Sequence, residues 1–160
     1  MDRKLFDIRV SGCAPFKYPT DLYYGLLWYS KDEALEIPKR YPYRCEWGEC
    51  LSDCILLKNT YPMPWKLSIL WLSIIEKKYY IKEEELPQRA LEMIWMKHSK
   101  IFTHIILGMA PYGIIALWFY GIKKSILLCS MYANEIDSNL KTNIENDLSI
   151  KKEELCESYI

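Results

Sequence analysis

Residues 104–122 read HIILGMAPYGIIALWFYGI, and no charged residue follows His104 within this stretch. The run is close to the roughly 20 apolar residues that a transmembrane helix needs. Pro111 lies near its middle, however, where a proline would break the helical hydrogen bonding. Residues 110–113, APYG, instead fit a type I turn, with proline second and glycine fourth. We therefore predict two strands that reverse at Pro111, and no transmembrane segment.

The residue types after the turn also favour a strand. Residues 114–120, IIALWFY, are mostly β-branched or aromatic, and such side chains are enriched in strands. Because the run is apolar without a polar alternation, we expect protein to cover both faces of this hairpin.

Further strands are predicted on both sides of the hairpin. Apolar and polar residues alternate over residues 5–10, which is typical of a half-buried strand. β-rich runs bounded by turn residues predict the remaining strands. These runs cover residues 22–28, 66–74, 79–82 and 125–133, with a short strand near residues 54–57.

A helical pattern is clearest over residues 86–98. Pro87 suits the first helical position, where its missing N–H leaves no partner unsatisfied. Apolar positions recur at the spacing of one helical face. The residues on this face are Leu91, Ile94, Trp95 and His98.

Together these elements predict an α+β protein dominated by β-structure. We expect an antiparallel sheet or sandwich of about seven strands with one helix packed on it. In this prediction residues 1–136 form a single β-rich domain. Residues 137–160 carry a narrow apolar stripe at every fourth residue, which predicts a C-terminal helical or loosely ordered extension.

The balanced charge argues against two classes of partner. Lysine and arginine total 21, as do aspartate and glutamate, so the chain lacks the positive field that nucleic-acid binding uses. The same balance predicts no polybasic patch for acidic lipid.

The N-terminal residues MDRKLFDIR carry charges where a signal peptide has its apolar segment. The sequence as written therefore predicts a cytoplasmic protein whose six cysteines are reduced. Residues 10–13, VSGC, resemble a lipoprotein cleavage site, but no apolar helix precedes them. A periplasmic or envelope location would require a start further upstream, and the pairing of any disulfides would then be open.

Three cysteines lie close together in a proline-rich stretch. Cys45, Cys50 and Cys54 have the spacing C-x4-C-x3-C, whereas a structural zinc site has four ligands. The fourth would have to come from His98 or His104. We therefore predict no metal and no cofactor, and keep a thiol or zinc-binding protein built on these cysteines as a weaker alternative.

Nothing in the sequence indicates catalysis. A catalytic cysteine needs a positioned base, and neither histidine lies in a motif that would supply one. Acidic runs occur at residues 83–85 and 153–154, where a solvated turn is the simpler interpretation. The motifs GxSxG, HExxH and GxGxxG and the phosphate-binding loop are absent. We therefore predict that the protein is not an enzyme.

The loop between residues 31 and 66 supplies the candidate binding site. Tyrosine, tryptophan and arginine are the residue types that anchor protein interfaces, and proline restricts the motion of this loop. The alternative interpretation is that its rings fold back over the sheet edge. The candidate residues are Tyr41, Tyr43, Arg44, Trp47 and Tyr61.

Four blocks, in order along the chain, resemble one bacterial family. The blocks are FDIRVS with AP and YP in residues 6–19, WGE in residues 47–49, WLS within residues 67–80, and LGMAPYG leading to Trp118. The ordered set is similar to domain-of-unknown-function family 2931, uncharacterised bacterial proteins often described as envelope lipoproteins. The resemblance implies a β-rich domain without known catalytic residues. It also implies an immunity or accessory role, because such genes are often seen among interbacterial toxin systems.

We therefore expect a non-catalytic protein-binding domain, in the concrete form of an immunity-type protein that blocks a partner toxin. The first alternative is an envelope-associated structural or lipoprotein-like protein, and the second is the thiol or zinc-binding protein. The identity of the partner and the oligomeric state are left open by the sequence.

Overall fold

The computed structural model describes residues 4–39, 47–48, 60–98 and 100–137. In these residues the chain forms nine strands, one α-helix and a short 3₁₀ turn, Pro111–Gly113. The bounds in chain order are β1 Arg9–Cys13, β2 Thr20–Trp28, β3 Ala34–Glu36, β4 Lys66–Ser73, β5 Lys78–Glu85, α1 Gln88–Lys97, β6 His104–Ala110, β7 Ile114–Tyr120, β8 Ser125–Tyr132 and β9 Asn134–Glu135.

The strands form two sheets that pack face to face. The first sheet has the order β1-β6-β7-β8, and the second has the order β3-β2-β4-β5-β9. Each sheet buries one apolar face against the other, and the single described helix adds to the same core. The predicted β-dominated α+β class is confirmed.

Two details of the sheets differ from the expectation. β1 runs parallel to β6, whereas the other pairings of the described strands are antiparallel. Strands β2 to β5 and the helix lie between β1 and β6 in the chain. A connection of this length allows two strands to pair in parallel. The structure also has β3 and β9, of three and two residues, which are too short to show an alternating pattern.

β6 and β7 form the hairpin that residues 104–122 predict. The pairing runs without a break from His104 with Tyr120 to Ala110 with Ile114. Every residue of β6 is buried, and so are the central residues of β7. The hairpin is therefore covered on both faces, as the unbroken apolar run predicted.

The turn of this hairpin reverses the chain at Pro111, but it is not the predicted type I turn. Tyr112 has φ 65° and ψ 18°, whereas the central residues of a type I turn have negative φ. Among the described residues, no helical segment has the length and hydropathy of a membrane span.

One face of the hairpin packs in the core between the two sheets. Trp95 of the helix packs against this core, with its ring centroid 4.9 Å from that of Phe119 and 5.6 Å from that of Phe102. Alternate residues of β6 and β7 contribute, as the period of two in a strand requires. The largest fully buried side chains of this core belong to Leu27, Ile37, Met63, Leu67, Ile69, Trp71, Ile105, Leu107, Met109 and Phe119.

The helix begins and ends inside the predicted range 86–98. Leu91 and Trp95 are its buried residues, in agreement with the predicted apolar face. Pro87 is the N-cap and not the first helical residue, because its ψ of 79° is outside the helical region. The proline nitrogen needs no partner in either position.

Trp47 packs on the outer face of the first sheet. Its ring meets that of Trp118 edge-on, with the centroids 4.9 Å apart. Gly108 makes room for both, because a Cβ there would lie 2.6 Å from Trp47 and 2.7 Å from Trp118. Trp118 belongs to a buried cluster on this face with Cys13, Ile106 and Ala116.

The last described strand joins the second sheet. β9 pairs with β5, and the backbone N–H of Ile136 donates to the carbonyl of Tyr79 at 3.0 Å. Ile136 is buried, so a core residue lies at the predicted domain boundary. Residues 138–160, and the short strand predicted near residues 54–57, lie outside the described residues, so their predicted structure stays a prediction.

Replacing Gly108 with alanine should destabilise the protein. The added methyl group would overlap two tryptophan rings, and overpacking of a buried site typically lowers the free energy of unfolding by about 1–3 kcal/mol. Urea unfolding followed by fluorescence measures the change. In a Trp47→Ala background one overlap is absent, so Gly108→Ala should cost less there. A Gly108→Ala protein as stable as the wild type would contradict this packing.

Candidate functional site

We call the candidate binding loop between residues 31 and 66 the aromatic loop. Two of its five candidate residues, Trp47 and Tyr61, lie in the described part of the chain, and both pack on the domain. Trp47 lies against Trp118 and keeps 40% of its surface exposed. Tyr61 exchanges two backbone hydrogen bonds with Phe6, at 2.8 and 2.9 Å, and its ring centroid is 5.4 Å from that of Tyr29. Trp47 thus belongs to the outer face of the first sheet, and Tyr61 packs against the core between the sheets.

Six other predicted residues lie outside the described part of the chain. They are Tyr41, Tyr43, Arg44, Cys45, Cys50 and Cys54. Their roles in partner binding or zinc coordination stay predictions. Within the described residues, no group of three histidine, cysteine, aspartate or glutamate side chains could hold a metal ion.

His104 opens β6, as predicted, and it lies in a packed environment. Its Nδ1 is 2.7 Å from the Thr103 hydroxyl oxygen, which is 3.3 Å from the carbonyl oxygen of Tyr120. Burial lowers the pKa of His104, Arg9 lowers it further, and Asp7 opposes both. The imidazole is therefore favoured in its neutral form.

A different group of side chains gathers at the end of the sandwich that carries the 3₁₀ turn. All are large, apolar or aromatic, and exposed. We call this group the aromatic end; it consists of Phe16, Tyr18, Ile75, Tyr112 and Tyr132.

Backbone hydrogen bonds bring the segments of the aromatic end together. The N–H of Ile74 donates to the carbonyl of Pro19 at 3.3 Å, which joins the β4–β5 turn to the loop after β1. The N–H of Ala133 donates to the carbonyl of Gly113 at 2.7 Å, which joins the end of β8 to the 3₁₀ turn. Four segments that are distant in sequence therefore meet here.

Glu76 holds the backbone of Tyr112 in its unusual conformation. The N–H of Tyr112 donates to both carboxylate oxygens of Glu76, at 3.2 and 3.3 Å. The hydroxyl of Tyr80 donates to the same carboxylate at 3.0 Å. Burial raises the pKa of Tyr80, and its hydrogen bond to Glu76 raises it further. Tyr80 therefore stays protonated and remains a donor to this carboxylate.

The conformation of Tyr112 is costly, and it exposes the ring. A non-glycine residue at positive φ typically costs about 1–3 kcal/mol and is found where the surrounding structure enforces it. The side chain of Tyr112 is nevertheless 79% exposed. Gly113 also has positive φ, of 77°, and a Cβ there would lie 2.9 Å from the Tyr80 ring. The turn thus presents an aromatic ring to solvent from a rigid support.

The aromatic end is suited to binding another protein. Aromatic side chains bury a large area with few rotatable bonds, and tyrosine is enriched among the residues that dominate interface energies. The sequence predicts the reversal at APYG but does not single out its tyrosine as a binding residue. The available signal was an aromatic residue between a turn proline and a turn glycine.

Replacing Glu76 with alanine should weaken the support of Tyr112. Hydrogen bonds to a charged group contribute about 1.5–3 kcal/mol, so we expect the free energy of unfolding to fall by about 1–2 kcal/mol at this half-exposed site. Glu85→Ala is the matched control, because Glu85 is an exposed glutamate at the end of β5. Equal urea stability of the two variants would contradict the role of Glu76.

His104 should make the stability depend on pH. Its pKa in the folded protein lies below the unfolded value of about 6.5, so protonation favours unfolding. Its effect should be absent above about pH 7, and the free energy of unfolding should fall as the pH drops below about 6.5. Urea unfolding at several pH values measures this, and His104→Gln should remove that part of the pH dependence. An unchanged profile in the variant would contradict the assignment.

Comparison with protein families matches residues 1–159 to the family described as protein of unknown function (DUF2931). The comparisons with curated proteins and with solved structures gave no match. The family match extends over all the strands, the helix and the aromatic end described above. The chain therefore belongs to the family DUF2931, as its ordered sequence blocks indicated.

Proposed function

We propose that this protein is a non-catalytic protein-binding domain, an immunity-type protein that neutralises a partner toxin by covering part of its surface. The aromatic end is the proposed contact surface. The observation that carries the proposal is the exposed ring of Tyr112, held at positive φ by Glu76.

The composition of the aromatic end supports this proposal. A protein interface has an aromatic or apolar centre and a polar rim that stays wet. Tyr112 and its apolar neighbours would form the centre. Charged side chains lie beside them, and Lys78 forms an exposed ion pair with Glu135 at 3.6 Å. Such a rim would affect the association rate and specificity more than the affinity.

The aromatic loop is a second proposed contact region. This second proposal depends mainly on Tyr41, Tyr43 and Arg44, because Trp47 and Tyr61 already pack on the domain. A partner could still reach the exposed part of Trp47. The aromatic end is the stronger candidate because Phe16, Tyr112 and Tyr132 are each more exposed than Trp47, and because Glu76 supports the backbone of Tyr112.

The lipoprotein alternative has a physical cost if Cys13 is the modified residue. Cleavage before Cys13 would remove four of the five β1 residues and the buried side chains of Phe6 and Ile8. Cys13 itself is fully buried. We therefore do not adopt lipid attachment at Cys13 as the proposed function.

Binding to the product of the neighbouring gene tests the proposal. Tyr112→Gly removes the ring and suits the positive φ, so we expect this variant to fold and to lose affinity. Loss of a central interface tyrosine typically costs about 2 kcal/mol or more, which is roughly thirtyfold in Kd. Co-purification followed by titration calorimetry measures the effect.

Met93→Ala is the control, since it removes an exposed apolar side chain of the helix, outside both proposed contact regions. We expect it to bind as the wild type does. If Tyr112→Gly binds with full affinity and Trp47→Ala does not, the contact surface is the aromatic loop. If the wild-type protein forms no complex with that product, the toxin assignment fails.

A further inference from the structure

Lysines gather at the opposite end of β6 and β7 from Tyr112. The equal totals of basic and acidic residues predicted no polybasic patch. The fold nevertheless brings together lysines that are distant in sequence. Apolar side chains are exposed among them. We call this group the basic end; it consists of Lys4, Lys97, Lys100, Lys123 and Lys124 with Met93, Met96, Ile101 and Ile122.

Short contacts fix the two loops that form the basic end. The N–H of Thr103 donates to the carbonyl of Tyr120 at 2.8 Å, and the N–H of Gly121 donates to that of Lys124 at 2.9 Å. A Cβ on Gly121 would run into the carbonyl of Ile101, so only glycine fits there. A shallow pocket of about 340 Å³ lies between the loops, lined by Lys100, Ile101, Thr103, Ile122 and Lys123.

The helix extends the same surface. Met93, Met96 and Lys97 are spaced so that they share one helix face. The ammonium of Lys4 lies 3.6 Å from the sulfur of Met96, which brings a lysine from the N-terminal segment to this face. Four exposed apolar side chains therefore lie among five lysines.

The basic end has a net positive charge. Between Glu92 and Glu135 the sequence contains no aspartate or glutamate. Lys124 and Lys97 both lower the pKa of His98, after partial burial as the larger cause. Among the described residues, the acidic side chains that oppose the five lysines are Glu92 and Asp7, and Asp7 acts on His104. An anionic partner would complement this charge.

We propose that the basic end docks on the surface of an anionic lipid bilayer. Ile122 is 91% exposed at the tip of its turn, and it would enter the headgroup region while the lysines contact the phosphates. Exposed apolar side chains among lysines are typical of proteins that lie on such a surface.

The composition favours lipid over an acidic protein. Lysine is depleted at protein interfaces, whereas aromatic residues, methionine and arginine are enriched. Five of the nine residues of the basic end are lysines and none is aromatic or arginine, whereas four of the five residues of the aromatic end are aromatic. A single protruding isoleucine would need a matching cavity in a protein, but a bilayer accepts it without one.

Docking at the basic end would leave the aromatic end accessible. The two lie at opposite ends of β6, whose seven residues span roughly 20 Å. A protein lying on a bilayer through Ile122 would therefore direct Tyr112 away from the lipid. The inference does not depend on the proposed partner of the aromatic end.

Sedimentation of the full chain with lipid vesicles tests this inference. The wild type should bind vesicles of mixed phosphatidylglycerol and phosphatidylcholine, should not bind phosphatidylcholine alone, and should dissociate as salt is added. Two lysines near an anionic surface contribute roughly thirtyfold in affinity, so K123Q/K124Q should bind that much more weakly. Ile122→Ser should weaken binding by about tenfold and leave the salt dependence unchanged.

K77Q/K78Q is the matched control, because it removes two adjacent lysines from the turn at the aromatic end. It changes the net charge equally, so it should bind vesicles as the wild type does. Failure of the wild type to bind anionic vesicles would overturn the inference, as would equal losses in the two double variants. Binding to soluble polyglutamate without binding to vesicles would overturn it in favour of an acidic protein.

Discussion

The β6–β7 hairpin is apolar on both faces, and a hairpin of this kind must be covered twice to be stable in water. The second sheet and α1 cover one face through the main core. Trp47 and the cluster around Trp118 lie on the other face, where Gly108 allows the rings to approach the strand. The two-sheet arrangement follows from this requirement, because a single sheet would leave one of these faces exposed.

The same hairpin separates two chemically different surfaces. At one end the chain reverses at Pro111, and Glu76 in the β4–β5 turn holds Tyr112 through the backbone N–H of Tyr112. At the other end Gly121 packs against the loop after the helix and aligns two lysine-bearing segments. One end therefore exposes aromatic rings, and the other exposes lysines and aliphatic side chains. We propose a protein as the partner of the first and an anionic bilayer as the partner of the second. A rigid hairpin keeps these two surfaces apart.

Much of the fold could be predicted, because its strongest signals are local. Pro111 inside an apolar run indicates a reversal, and the spacing of Leu91 and Trp95 indicates a helix. The parallel pairing of β1 with β6 had no local signal, since it depends on the path of the intervening chain. The site was less predictable. Trp47 has the residue type of an interface anchor, but its ring packs on Trp118, whereas Tyr112 was recognised only as part of a turn.

The sequence by itself determined the hairpin at Pro111, the β-dominated class, the helix and the family. These depend on residues that are neighbours along the chain or on motifs in a fixed order. Only the tertiary structure decided that Tyr112 is held by Glu76 and exposed, and that lysines from the segments around residues 97 and 123 form one surface. The reason is physical: charge totals and local patterns do not specify which distant loops meet, because that depends on how the two sheets pack and where the connections between them run.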